Sequence, residues 1–366
     1  MGVGLATTGR IWLWQVAPGV GFAVALALLA NLIADSLSGW PPGGKVVSLS
    51  PVLCAVLLGL LWRNCCGVPQ QFDQGLHWVM HTLLKLGIAL VGLRLTLGGA
   101  STIAATAGPV VVGCIGAALL AGAALSRALP IPRRLALLLS VGTAVCGCTA
   151  VIALSPVIRA RCEETGFALV CVVVFGCFGM LFYPWIASYF FSTSPTHAGI
   201  FLGTAIHDTS QVVGAALIYS QQHVAPDVLP AASVTKLLRN ISIAVLIPAA
   251  AWLAREPTAT PHTATWRSFA LPGFVLCFVL LILLRTAGDA LFAAVSGSRY
   301  WNHLVHAGQL ASELFLICGM AAVGLSVSLT QLRSIGWQPL AAGMSIAAIV
   351  CVCSLCLTLV VFRFPL

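Results

Sequence analysis

Along most of the chain, long apolar runs alternate with short connections rich in Pro, Gly and Arg. A membrane-crossing helix needs about 20 predominantly apolar residues. On that rule the pattern predicts helices at 12–37, 50–63 (a short one), 74–98, 107–128, 134–157, 164–191, 198–220, 229–254, 268–292, 301–329 and 338–362. The connections carry helix-stopping groups such as Pro41-Pro42-Gly43-Gly44, Pro130-Ile131-Pro132 and Arg255-Glu256-Pro257. The run Ile11–Leu37 follows Arg10 and is too long for a leader-peptide core, so it reads as a first span. The predicted fold is therefore an all-α polytopic membrane protein with about eleven transmembrane segments. Residues 1–366 read as one integral domain, with no soluble domain.

Two stretches break the apolar pattern. The first is His207-Asp208-Thr209-Ser210-Gln211, bracketed by Gly199, Gly203 and Gly214. These five polar side chains span more than one helical turn, so no single face of a regular helix hides them all. Ionisable groups at bilayer depth are expensive and face a solute path or a partner. A discontinuous helix lining a cavity resolves both difficulties. The second stretch runs from Leu139 to Val151, where Gly142, Gly147, Ser140, Thr143 and Thr149 interrupt a span around Cys146-Gly147-Cys148. If the helix opens there, freed N–H groups and a half-helix dipole end bind an anion without a cationic side chain. The alternative is close helix packing over small residues.

A third feature supplies positive charge. Lys236 and Arg239 lie three apart in Ser233–Ser242, hence on one helical face, with Thr235 and Asn240 beside it. Guanidinium recognises oxyanions in bidentate fashion and an ammonium adds a point charge. The alternatives are interfacial snorkelling and pairing of either cation with Asp208. His207 and Asp208 together read as a proton relay, a cation site, or a locked pair. Gln211 is close enough in sequence to join a local network with them. Arg94 reads chiefly as an interfacial anchor, Glu313 as a coupling group or salt-bridge partner, and His77, His81 and Lys85 as a polar stripe on one helix. An internal echo relates Ala89–Leu97 to Ala321–Leu329, seven predicted segments apart, as in inverted-repeat transporters.

Composition narrows the class further. The chain is 60% hydrophobic and only 7% charged, against about 25% charged in soluble domains. Its net charge of +9 is spread through connections rather than clustered, which excludes a nucleic-acid-binding face. The basic residues give only a modest bias in orientation. The 14 cysteines lie mostly in apolar runs, where they act as small hydrophobes. Neither Cys65-Cys66 nor Cys146-x-Cys148 has a second ligand pair at metal spacing. No metal or organic cofactor is implied, only a coupling proton or sodium ion.

The segments Gly142–Ile158, Gly203–Val213 and Val234–Arg239, with Leu86–Thr96 before them, resemble the YeiH-type sulfate exporters. Cys148 stands where that pattern has Ala or Ser. The resemblance implies a fold similar to bile-acid symporters and sodium/proton antiporters, with inverted repeats, crossed discontinuous helices and elevator-like or rocking motion. It also implies a bacterial inner-membrane location. The expected activity is secondary export or exchange of a small anion, sulfate or another sulfur-containing or inorganic oxyanion. The expected substrate contacts are Thr143, Cys146, Gly147, Thr149, His207, Gln211, Lys236 and Arg239, with coupling through His207 and Asp208. A cation/proton antiporter using Asp208, with structural basic residues, is the alternative within transport. An intramembrane enzyme using Cys146 or His207 lacks an activated pair, so no enzymatic activity is expected. The expected partners are a small anionic solute and the lipid bilayer, and a homodimer stays open.

Overall fold

The structure, a computed structural model, describes residues 3–37, 50–246, 249, 273–292, 298–328, 330 and 337–363. Among these residues it is all-helical, with no strand. The helices are α1 (Val3–Leu37), α2 (Pro51–Cys65), α3 (Asp73–Trp78), α4 (Leu84–Leu90), α5 (Leu97–Ala128), α6 (Arg133–Ala144) and α7 (Cys148–Val157). They continue with α8 (Cys162–Phe191), α9 (Pro195–Ala205), α10 (Thr209–His223), α11 (Val228–Ile241), α12 (Gly273–Phe292), α13 (Ser298–Ser326) and α14 (Trp337–Arg363). The predicted limits at 254, 268 and 329 fall outside the described residues.

Eight stretches are long and apolar enough to cross a membrane among the described residues: 15–36, 70–94, 97–128, 162–191, 228–246, 273–292, 299–326 and 337–363. The other three predicted spans come out differently. The 50–63 run is the 15-residue α2. The 134–157 run becomes α6 and α7, of 12 and 10 residues. The 198–220 run becomes α9 and α10, of 11 and 15 residues. Each of these pieces is shorter than the about 20 residues a crossing helix requires.

The chain divides into two compact units. Unit 1 comprises Met1–Thr96, Ser220–Ala225 and Cys277–Thr330. Within it the stretch 70–94 is not one regular helix: a π-helical turn at Val79–Leu83 separates α3 from α4, and a tight 3-10 turn follows at Val91–Arg94. The His77 and His81 rings, four positions apart, lie with centroids 4.0 Å from each other on the exposed side of this stretch. Ser312 on α13 donates to the Gly87 carbonyl on α4 at 2.8 Å, tying these two helices.

Unit 2 comprises Leu97–Tyr219, Pro226–Leu276 and Gln331–Leu366. Its core is built from Val110, Cys114, Leu138, Leu139, Val151, Leu154, Val172 and Ile346, from α5, α6, α7, α8 and α14. The Thr204 and Ser354 hydroxyls, on α9 and α14, share a 2.6 Å hydrogen bond in the interior. Both copies of the sequence echo end where the chain passes from unit 1 to unit 2, at 96–97 and at 330–331.

The two helix interruptions, at 145–147 and 206–208, both belong to unit 2. Their local causes differ. Gly147 has φ +71 and ψ −125, a region that only glycine enters without strain. A Cβ added there would also meet Asp208 Oδ2 and Val172 Cγ1 at 3.2 Å, so the two interruptions approach each other at this glycine. At the second interruption Ile206 is extended, with φ −91 and ψ 145. Asp208 then starts α10: its Oδ1 accepts from the Ser210 N–H at 2.9 Å and its carbonyl accepts from Val212 at 3.0 Å. An Asp at a helix start satisfies N–H groups that have no intrahelical partner.

Candidate functional site

Helix α11 carries the charges that organise the site. Its apolar residues Val228, Leu229, Ala231 and Ala232 are buried, and so are Lys236 and Arg239, both 0% exposed. α11 packs tightly on α9 because Gly203 presents no side chain: a Cβ there would lie 2.8 Å from Thr235 Cβ and 2.9 Å from the Ala232 carbonyl oxygen. That close approach brings the Lys236 and Arg239 face up to the end of α9.

Both cations then bond to backbone carbonyls of both interruptions. The Lys236 ammonium donates to Val145 O at 2.9 Å, to Ile206 O at 3.1 Å and to His207 O. Arg239 Nε donates to Ala144 O at 2.6 Å, one terminal nitrogen to Thr204 O and Ile206 O at 2.6 and 3.0 Å, and the other to Thr143 O. The last carbonyls of a helix have no intrahelical donor and carry the negative end of its dipole. Two fixed cations therefore close the C-terminal ends of α6 and α9 together.

The N-terminal ends of α7 and α10 are covered far less. Cys148 and Asp208 are half-buried, Thr209 and Ser210 are half-buried, and Thr149 is exposed. Asn240 reaches from α11 to donate to Thr209 Oγ1 at 3.2 Å. Cys146, Cys148 and Cys177 all lie within electrostatic range of Asp208. Among the described residues no group of three His, Cys, Asp or Glu is arranged to hold a metal ion.

The residues singled out from sequence thus sit together, with altered roles. Lys236 and Arg239 were expected to face an anion; their N–H groups go to carbonyls instead. Among the described residues no ion pair within 4 Å joins Asp208 to either cation, and Lys236 senses that carboxylate at longer range. Thr143 enters through its carbonyl, its side chain being only 2% exposed. His207, also 2% exposed, contributes its carbonyl to Lys236, and its Nδ1 is buried without a partner.

Gln211 was expected to bond with His207 and Asp208. It turns to α8, where Nε2 donates to Val173 O at 2.9 Å and to Cys177 Sγ at 3.3 Å, leaving Oε1 buried and unpartnered. The reason is helical phase: His207 and Asp208 precede α10, so the spacing that would align them with Gln211 does not apply. Sequence reading missed Cys177, Val173, Ala144 and Val145. Val173, Ala144 and Val145 act through backbone atoms, which leave no trace in a residue pattern.

With this geometry in hand, the comparisons with known proteins place the chain. A family model described as "Conserved hypothetical protein 698" matches residues 18–343. The chain belongs to this family. Relatives that align over most of this chain come from several bacteria. A UPF0324 membrane protein of Nitratidesulfovibrio vulgaris is 27% identical over 343 residues, covering 91% of this chain and 89% of the relative. One from Ralstonia nicotianae is 28% identical over 355 residues, covering 92% and 90%. One from Bacillus cereus is 25% identical over 335 residues, covering 89% and 86%. The relatives' description as membrane proteins agrees with the eight apolar helices found here.

Proposed function

We propose that this protein is a secondary transporter of a small anion, built on two discontinuous helices, α6/α7 and α9/α10. Interrupted helices meeting in the interior of a membrane protein are how many carriers form a solute site. The observation that carries the reading is the asymmetry of the four helix ends. The C-terminal ends of α6 and α9 are closed by Lys236 and Arg239, whereas the N-terminal ends of α7 and α10 are left with Cys148, Thr149, Asp208, Thr209 and Ser210 beside them.

Charge points the same way. Each helix end carries about half an elementary charge. The two cations more than cancel the two C-terminal ends, and Asp208 offsets the two N-terminal ends, leaving the cluster at about +1. A site with net positive charge at the starts of two helices suits an anion. The resemblance to YeiH-type exporters narrows the cargo to sulfate or another sulfur-containing oxyanion. It further suggests inverted repeats, elevator-like alternating access and a bacterial inner membrane. In this reading the anion contacts Thr149, Gly147 and Cys146 at the start of α7, with Lys236 and Arg239 acting through the field rather than by contact. Coupling runs through Asp208, half-buried at the start of α10.

The test is efflux of labelled sulfate, sulfite and thiosulfate from proteoliposomes. Cys148→Phe, which fills the start of α7, should abolish the flux while the protein still purifies as a monodisperse species. Full flux in that variant sinks the site. A second reading rests on Asp208, the one carboxylate at the interruptions: a cation/proton antiporter. Sodium-driven proton movement with no dependence on the anion supplied would establish it instead.

A further inference from the structure

The Lys236 ammonium occupies an unusual position. It is fully buried, yet among the described residues no carboxylate lies within ion-pair distance of it. Its partners are three backbone carbonyls, Val145, Ile206 and His207, from the two helix interruptions. An ammonium has three N–H donors for these three acceptors, whereas a neutral amine, with two, would leave one unmet. A buried charge is costly unless the groups that face it are well placed.

That arrangement has a recognisable counterpart in general carrier chemistry. In carriers with discontinuous helices, unwound carbonyls and half-helix C-terminal ends are the groups that coordinate a coupling cation. Here the same class of group, at the same kind of place, is spent on a side chain. We propose that the Lys236 ammonium is a tethered cation filling a monovalent-cation site, so that this protein binds no sodium there and its transport needs none. The statement about transport rests on the function proposed above; the filled cation site does not.

The geometry also sets the ion preference of the emptied site. The Val145 and Ile206 oxygens stand 2.9 and 3.1 Å from the nitrogen, ordinary hydrogen-bond distances for an ammonium. Oxygens spaced for an ammonium suit K+ and NH4+ better than the smaller Na+. Truncating Lys236 to Ala removes the charge and opens the space. Replacing it with Met removes the charge and keeps the space filled.

The experiment is a set of melting curves on purified full-length protein in detergent. The salts are the chlorides of K+, NH4+, Na+ and N-methyl-D-glucamine at one ionic strength. Wild type should melt at the same temperature in all four. Lys236→Ala should melt lower in N-methyl-D-glucamine and recover by several degrees, saturably, in K+ and NH4+, as a ligand that binds only the folded state must do. Lys236→Met should stay low in every salt. A folded Lys236→Ala with no ion-specific recovery overturns the proposal, and so does a saturable sodium-specific rise in the wild type. If Lys236→Ala yields no folded protein even when prepared in NH4+, equilibrium dialysis of the wild type with radioactive sodium decides. Saturable sodium binding by the wild type refutes a filled site, and no saturable binding upholds it. These readouts need no solute, so an error in the anion assignment would leave them unchanged and show only as missing flux.

Discussion

Arg239 in unit 2 and Arg94 in unit 1 are both arginines in apolar surroundings, and they are held in opposite ways. Arg239 is fully buried and spends its guanidinium on four backbone carbonyls, from Thr143, Ala144, Thr204 and Ile206. Arg94 faces a carboxylate, but Glu313 Oε2 is 3.9 Å away, the two side chains are 19% and 35% exposed, and Arg94 Nε is unpartnered. Glu313 has a better partner in Gln221, which donates to it at 2.9 Å and in turn accepts from Ser50 at 2.5 Å. The formal ion pair is therefore the looser of the two. Fixed dipoles hold a charge more firmly than a distant counter-ion, because they are already oriented and cannot drift away.

The sharpest way to break this comparison is Arg239→Ala. It leaves the carbonyls at two helix ends buried without donors, and removing one partner of a buried charged network costs about 3–5 kcal/mol. The expected result is a large fall in melting temperature and in yield of folded protein, not simply a loss of transport. Arg239→Lys should recover only part of it, because an ammonium does not reproduce the planar fork that reaches both ends. A variant Arg239→Ala that melts within a degree of wild type would show that the carbonyl contacts carry little.

Gly147→Ala should come next. A side chain at φ +71 and ψ −125 costs about 1–3 kcal/mol in backbone strain, and the new Cβ would press on Asp208 Oδ2 at 3.2 Å. The expected outcome is a folded but less stable protein whose α10 start is displaced. Hydrogen exchange at Ser210 and Val212, whose N–H groups Asp208 holds, reads this directly. Unchanged protection at both amides would mean that the two interruptions are independent.

Much of this was legible before any coordinates. The run His207–Gln211 exceeds what one helical face can hide, and it lies at the junction where α9 ends at Ala205 and α10 starts at Thr209. Mid-span glycines weaken a helix, and Gly147 stands between α6 and α7, whereas Gly142 lies inside α6. The three-residue spacing of Lys236 and Arg239 correctly placed them on one face of α11. What they touch was not legible. Every residue owns a carbonyl, so a helix end that attracts cations has no residue signature, and a free solute looked like the natural partner. Gln211 failed for a related reason: its acceptor belongs to Val173, an apolar residue on α8. The π-helical turn at Val79–Leu83 was equally hidden, since an i, i+4, i+8 stripe of His77, His81 and Lys85 assumes an unbroken α-helical phase.

The smallest expected effect belongs to Glu313→Gln. The amide oxygen of the new side chain can still accept from Gln221, so the bond to Ser50 beyond it is preserved. Only the Coulomb attraction to Arg94 is lost, across 3.9 Å and between partly exposed groups, where measured pairs contribute about 0–1 kcal/mol. A double-mutant cycle with Arg94→Gln isolates that term from the hydrogen bonds, since each single change removes the same pair. A coupling within this range keeps unit 1's pair in the loose class. A coupling as large as the loss from Arg239→Ala would reverse the ranking, because the charge on Arg94 would then depend on Glu313 as completely as that of Arg239 depends on its carbonyls.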